Sequence, residues 1–167
     1  MSVADWVERI ARGEVPGSGP DGTMPPHYPT CFGCGPEATA GMHLRARADG
    51  EQVVADYTFG VAHSGAPGIA HGGTVAALVD DLMGYVLFLV RTPAVTRRLE
   101  VDYLQPVLVN TPYALRGWLE RREGRKLFTA CVATAPDGSE AFRAKGLFIL
   151  VDLAHFAVGS AALGRPS

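Results

Sequence analysis

The feature that most constrains this chain is a long apolar run, residues 74–90, with two adjacent aspartates at its centre. It is slightly shorter than the ~20 residues of a membrane-spanning helix. Its apolar side chains lie on nearly every face of a helix, which is typical of a helix buried inside a domain. We therefore predict one long buried helix from about residue 73 to residue 90, ended by Pro93.

Segments of alternating apolar and polar residues flank this helix on both sides. Two precede it, residues 43–48 and 51–59, with Asp49-Gly50 as a hairpin turn between them. Four follow it, residues 96–107, 113–122, 126–135 and 140–151, while residues 60–70 read as a loop. The simplest arrangement is an α+β domain in which one curved antiparallel sheet of five or six strands wraps the helix.

The length of 167 residues suits a single domain. Residues 4–12 predict a short amphipathic helix, and residues 13–36 are too rich in Gly and Pro for regular structure. We divide the chain into an N-terminal helix and arm over 1–41, a domain over 42–153, and a flexible tail over 154–167.

Charge and cysteine usage exclude several classes of function. The net charge of −2, with no block of like charges, gives no electrostatic footprint for nucleic acid or for an anionic membrane. The N-terminus lacks the basic and apolar regions of a secretory signal. Three cysteines without such a signal favour free thiols in a reducing compartment, so we expect a cytoplasmic protein.

The start of the predicted helix carries one candidate for chemistry. Gly72 and Gly73 follow His71 there, and the first N–H groups of a helix have no intrahelical acceptor. Together with the helix dipole, these amides can stabilise an oxyanion or polarise a carbonyl. His71 could act as a general base or fix the loop before the helix, and its residue type favours the second role.

The two central carboxylates are the other candidate, because burying an unpaired charge is costly. Asp80 and Asp81 point about 100° apart on a helix, so they should not share one role. Asp80 lies on a stripe of mostly small residues that leaves room for a substrate or a neighbouring chain. For Asp81, an ion pair with an arginine is the simpler explanation.

The segment Cys31-Phe32-Gly33-Cys34-Gly35 is half of a zinc-ribbon pattern. A closed zinc site needs four ligands. The remaining candidates, His27, His43 and Cys131, show no recognisable spacing to the pair. We therefore expect a packed thiol pair in the arm, with no metal and no cofactor.

At this point the residues resemble a known family. The chain resembles the hot-dog thioesterases of the PaaI-like branch in three segments: the His-Gly-Gly triplet at 71–73, Asp80 nine positions after the histidine, and the strand at residues 96–107. The segments at 31–35 and 41–44 are similar to the form related to the THEM4 acyl-CoA thioesterases. The resemblance runs from about residue 31 to residue 151, and it implies a hot-dog fold.

The resemblance also implies residue roles. Asp80 matches the catalytic carboxylate. Gly73, with Gly72 as a second donor, matches the amide that polarises the thioester carbonyl. Thr96 matches a residue that places the water or the carboxylate. His71 matches an orienting residue. Two departures from the family pattern are a second acid, Asp81, and arginines at 97 and 98. Four residues are expected to contact substrate: Gly72, Asp81, Met83 and Arg97.

These expectations combine into a function: hydrolysis of acyl-CoA thioesters without a cofactor. Gly73 and Asp80 are separated by about 10 Å along one helix, so one helix can hardly supply both groups to one substrate. We therefore expect a homodimer, or a dimer of dimers, with its active sites at the subunit interface. The alternative is a non-catalytic acyl-CoA-binding module. A hydratase is disfavoured because no histidine follows His71 until His155.

Overall fold

The computed structural model describes residues 21–91, 93–152 and 154–156. The predicted helix at residues 4–12 and most of the predicted flexible tail lie outside these ranges. The main elements, in chain order, are β1 (Arg47–Asp49), β2 (Gln52–Thr58), β3 (Ser64–Ala66), β4 (Ile69–Ala70), α1 (Gly72–Leu89), β5 (Ala94–Tyr103), β6 (Pro112–Glu123), β7 (Lys126–Thr134) and β8 (Glu140–Leu150).

Six strands form one antiparallel sheet in the order β1-β2-β6-β7-β8-β5. Strands β6, β7 and β8 follow one another as a meander. Strand β5, which precedes them in the chain, pairs with β8 at the sheet edge. The long helix α1 enters between β4 and β5 and contacts β2, β5, β6, β7 and β8. The predicted α+β class, with a six-stranded sheet around one helix, is confirmed.

Helix α1 supplies much of the core. Nine of its residues are buried, among them Val75, Leu78, Leu82 and Val86. The helix is long and apolar enough to cross a membrane, but half of it is buried inside the protein. Burial against the sheet therefore accounts for its apolar character.

Two local differences from the predicted elements have physical causes. The first strand begins at Arg47 instead of residue 43. His43 has a φ of 55°, outside the β region, and the residues after it bond to the arm: the N–H of Leu44 donates to Gly33, and the carbonyl of Ala46 accepts from Met24. Residues 60–70, predicted as a plain loop, contain a 3-10 turn (Val61–His63) and the small sheet of β3 and β4.

The described part of the arm packs against the domain. Met24, Cys34, Met42 and Leu44 are all buried in the core. The backbone N–H of Leu44 donates to the carbonyl of Gly33 at 2.8 Å, which ties the two-cysteine segment to the chain entering β1. The cysteine pair is therefore held in place by the core.

Strand β5 contains a bulge next to its start. Thr96 pairs with Phe148 and Arg98 with Leu147, so Arg97 is an extra residue without a partner in the register. A bulge bends the strand and redirects its side chains, and such bulges are frequent next to active sites.

A glycine on β8 provides a test of this packing. A Cβ on Gly146 would lie 2.6 Å from Thr129 Oγ1 and 2.7 Å from Phe148 Cε2. We expect Gly146→Ala to lower the free energy of unfolding by about 1–3 kcal/mol, because the core must shift to admit the methyl group. The measurement is urea denaturation. Gly60→Ala is the matched control, since a Cβ there meets open space. Equal stability of the two variants would contradict the described packing.

Candidate functional site

Asp80 and Thr96 form the centre of the candidate site. The Thr96 hydroxyl donates a hydrogen bond to Asp80 Oδ1 at 2.8 Å, across the gap between α1 and the start of β5. The Asp80 carboxylate is partly exposed, and its other oxygen is not engaged by Thr96. The structure thus brings together the two residues, sixteen positions apart, to which the resemblance gave linked roles.

Both residues line a cavity of about 380 Å³. Its walls are mainly apolar and include Leu87 and Phe88 from the helix and Val95 and Phe148 from the sheet. Arg91, just past the end of α1, also lines it and is exposed. A carboxylate beside an apolar pocket of this size is typical of a small-molecule site.

The start of α1 is capped by His71. The Gly73 N–H donates to His71 Nδ1 at 2.9 Å, so this nitrogen carries no proton and the ring acts as the N-cap acceptor. The Tyr103 hydroxyl donates to the Gly72 carbonyl at 2.6 Å. Within the described ranges, the structure gives no acceptor for the Gly72 N–H. This exposed amide is therefore available to a ligand, whereas the Gly73 N–H is engaged by His71.

One chain does not bring this helix start to Asp80. Seven or eight residues of helix separate the glycines from the aspartate, about 10–12 Å along the axis. Neither glycine lines the cavity beside Asp80. The roles of the glycine amide and of the Asp80 carboxylate both remain predictions. The two groups can act on one substrate only if the amide comes from a second chain.

The other residues expected at the site lie in different surroundings. Met83 is fully buried, and a Cβ on Gly146 would lie 2.7 Å from its sulfur, so Met83 packs against the sheet instead of lining the cavity. Arg97 is exposed at the bulge and does not line the cavity either. Asp81 does line it, but its partner is His27 Nδ1 at 3.1 Å rather than the arginine we expected.

Asp81 belongs to a cluster of four groups that the sequence did not connect. His27, Cys31, Cys34 and Asp81 place one nitrogen, two sulfurs and one oxygen within 4.8 Å of one another. His27 and Cys31 also line the cavity. The spacing His27-x3-Cys31-x2-Cys34 is the sequence signal that could have joined the histidine to the cysteine pair, but nothing in the spacing points to Asp81.

The pKa values of the cluster reflect its crowding. Hydrogen bonding from Cys34 and His27 lowers the pKa of Cys31 to about 3, although burial opposes the shift. The hydrogen bond with Cys31 and burial raise the pKa of Cys34. Burial would lower the pKa of His27, but hydrogen bonds to Asp81 and Cys31 outweigh it and raise the pKa to about 9. Burial raises the pKa of Asp81, with His27 opposing it.

The capping role of His71 can be tested by stability. We expect His71→Ala to lower the free energy of unfolding by about 0.5–2 kcal/mol, and His71→Asn to restore most of the loss, because Asn also accepts from the N–H of the first turn. Thermal or urea denaturation of both variants measures this. An alanine variant as stable as the original protein would remove the basis for the cap.

Comparison with known proteins shows what part of the chain is similar to a known family. Residues 67–142 match the model of the thioesterase superfamily. The acyl-coenzyme A thioesterase THEM4 of Rattus norvegicus is 30% identical over 103 residues, covering 61% of this chain and 44% of that protein. The chain thus spans less than half the length of this curated relative.

Solved structures agree on the fold. A thioesterase superfamily protein has a TM-score of 0.68 at 27% identity, covering 72% of this chain and 60% of its own. A hypothetical thioesterase from Streptococcus pneumoniae, solved with coenzyme A, gives 0.58 at 19% identity, covering 60% and 79%. The PaaI protein of E. coli gives 0.60 at 13% identity, covering 66% and 81%. Over residues 67–142 the chain is therefore similar to the thioesterase superfamily, and its sheet around one helix is the hot-dog fold that these solved structures share.

Proposed function

We propose that this protein hydrolyses acyl-CoA thioesters, with Asp80 as the catalytic carboxylate. The observation that carries the proposal is the Thr96–Asp80 hydrogen bond at the edge of an apolar cavity. The named activity of the THEM4 relative and the coenzyme A in the Streptococcus pneumoniae structure support the substrate class.

The geometry suits general base catalysis. Thr96 holds one oxygen of Asp80, which leaves the other to accept a proton from a water molecule. The water oxygen attacks the thioester carbonyl carbon, and the carbonyl becomes an oxyanion. When the oxyanion collapses, the carbon–sulfur bond breaks, and the leaving thiolate takes the proton from Asp80. The products are a carboxylic acid and coenzyme A.

The oxyanion needs donors that one chain does not provide beside Asp80. We assign this role to the exposed start of α1 in a second copy of the chain, where the Gly72 N–H has no acceptor among the described residues and Gly73 lies next to it. Donors of this kind typically lower the barrier by about 3–4 kcal/mol each. An isologous dimer with antiparallel helices would then carry two equivalent sites.

Exposed apolar side chains support such an interface. Tyr103, Leu104 and Leu108 are 49%, 46% and 47% exposed, and they lie near the helix start through the Tyr103–Gly72 hydrogen bond and the pairing of Leu108 with Ile69. Clustered exposed apolar residues often mark an interaction surface. We therefore retain the homodimer, or dimer of dimers, as part of the proposal.

Two further elements complete the proposal. Arg91 at the cavity and Arg97 at the β5 bulge are exposed cations suited to the phosphates of coenzyme A. None of the three cysteines forms a disulfide in the described part of the chain, which supports the expected cytoplasmic location.

Replacement of Asp80 tests the catalytic role. We expect Asp80→Asn to slow thiol release from a panel of acyl-CoAs by about 100- to 10,000-fold, because the amide cannot accept the proton from water. Asp56→Asn, an exposed carboxylate change outside the cavity, is the matched control and should keep full activity. Acyl-CoA binding without turnover in the unaltered protein would instead identify a non-catalytic binding module.

Mixed oligomers test the shared site. Gly72→Pro removes the amide N–H at a helix position that tolerates proline. We expect this variant and Asp80→Asn each to be inactive alone. Randomly mixed dimers should regain about one quarter of full activity, because half of them carry one intact site of two. Thiol release after co-refolding measures this, and a mixture that stays inactive would rule out the shared site.

A further inference from the structure

We propose that His27, Cys31, Cys34 and Asp81 form a closed zinc site that fastens the arm to the central helix. The four residues come from one chain and supply four ligand atoms of three kinds: one imidazole nitrogen, two sulfurs and one carboxylate oxygen. Its ligands are not Asp80 or Thr96, although three of them line the same cavity, and no step of the hydrolysis proposed above passes through it.

The spacing of the four atoms is close to the edge lengths of a zinc tetrahedron. With zinc–ligand bonds of ~2.0–2.3 Å, tetrahedral ligands lie about 3.3–3.8 Å from one another. Here His27 Nδ1 lies 3.1 Å from Asp81 Oδ1 and 3.2 Å from Cys34 Sγ, and Cys31 Sγ lies 3.3 Å from Asp81 Oδ1. Every pair is within 4.8 Å, so only small shifts are needed to surround an ion.

Two donors of the cluster that can carry negative charge lie in direct contact. The Cys31 sulfur lies 3.3 Å from Oδ1 of the Asp81 carboxylate. A thiolate and a carboxylate at this distance repel each other unless a proton or a metal ion lies between them. The second oxygen of Asp81 is buried and has no hydrogen-bond partner among the described residues. A divalent cation would offset these negative charges and attract the whole donor set.

Backbone and side-chain groups contact the sulfurs of the cluster. The amides of Gly33 and Cys34 donate to Cys31 Sγ, and the amide of His27 donates to Cys34 Sγ at 3.2 Å. The Tyr85 hydroxyl also contacts Cys34. Such outer contacts orient metal ligands and stabilise their charged form.

Arg45 adds a positive charge next to the cluster. Its guanidinium donates to the Cys34 carbonyl at 3.2 Å. Two thiolates and one carboxylate around a divalent ion leave one net negative charge, and Arg45 lies where it can offset that charge.

Two glycines make room for the cluster. A Cβ on Gly33 would overlap the carboxylate of Asp81, and a Cβ on Gly84 would lie 3.0 Å from His27 Cε1. The ring of His27 packs against Tyr85 and Phe88, with its centroid 4.2 Å from that of Tyr85 and 4.7 Å from that of Phe88. The arm and helix thus approach each other closely at this one point.

The donor set favours zinc over other metals. Thiolates exclude the hard cations calcium and magnesium, and a set of two sulfurs, one nitrogen and one oxygen in tetrahedral array is typical of zinc. Four protein ligands leave no open position, which identifies a structural site rather than a Lewis acid for catalysis.

Metal content decides the proposal directly. The full chain, purified without a metal-binding tag, should contain about one zinc per chain by elemental analysis. After chelation and loading with Co²⁺, it should show the thiolate-to-cobalt absorption and visible bands of a tetrahedral sulfur site. A protein that stays free of stoichiometric zinc even after zinc addition, whether its cysteines are reactive thiols or a disulfide, would overturn the proposal.

Ligand variants locate the ion. We expect Cys34→Ser and Asp81→Asn to weaken zinc binding more than about 100-fold, measured by competition with a chromogenic chelator. Cys131→Ser is the matched control: this cysteine is also buried, but it lies on β7 outside the cluster, and zinc binding should be unchanged. Unaltered binding in both ligand variants would contradict the assignment. If a variant fails to fold, the cobalt spectrum of the unaltered protein still decides.

The metal test and the activity test are independent of each other. Zinc content and cobalt spectra need no substrate, so a zinc-containing protein without hydrolase activity would sustain this inference and refute the proposed function. An active, Asp80-dependent enzyme without zinc would do the reverse.

Discussion

The structure depends on two neighbouring carboxylates in the middle of a helix that is otherwise buried. Nine side chains of this helix fill the core, so each aspartate must find a local partner or water. The helical rotation of about 100° between consecutive residues sends them to different partners. Asp80 reaches the Thr96 hydroxyl and the cavity, and Asp81 reaches His27 and Cys31 in the arm.

This division explains why the arm belongs to the functional part of the protein. The segment that carries His27 and Cys31 lines the same cavity as Asp80, and Cys34 is fully buried beside it. Displacement of the arm would expose the apolar cavity wall and remove His27 and Cys31 from Asp81. The arm therefore shapes one side of the pocket next to the carboxylate to which we assign catalysis.

Much of this arrangement follows from local patterns. The period of the apolar residues predicts α1 to within one residue at either end, and alternation predicts all six strands of the main sheet along the chain, but not that β5 pairs with β8. The partnership of Asp80 and Thr96 could be inferred only through the family resemblance, because sixteen residues and a change of element separate them. The His27–Asp81 contact spans 54 residues, and no spacing rule covers such a distance. The late start of the first strand was also not predictable, because the chain before it, with His43 at a φ of 55°, hydrogen-bonds to the arm.

The second acid of the helix and the cysteine pair of the arm looked like unrelated features in the sequence. The first departed from the family pattern, and the second lacked two of the four ligands that a zinc site requires. In the structure the two features lie together, since Asp81 and His27 supply the two ligands that the cysteine pair lacks. An apolar side chain in place of Asp81 would leave the arm with three ligands, and loss of the cysteines would leave Asp81 buried without a charge partner other than His27. The two features are therefore one unit, and its place beside Asp80 links the position of the arm to the geometry of the pocket.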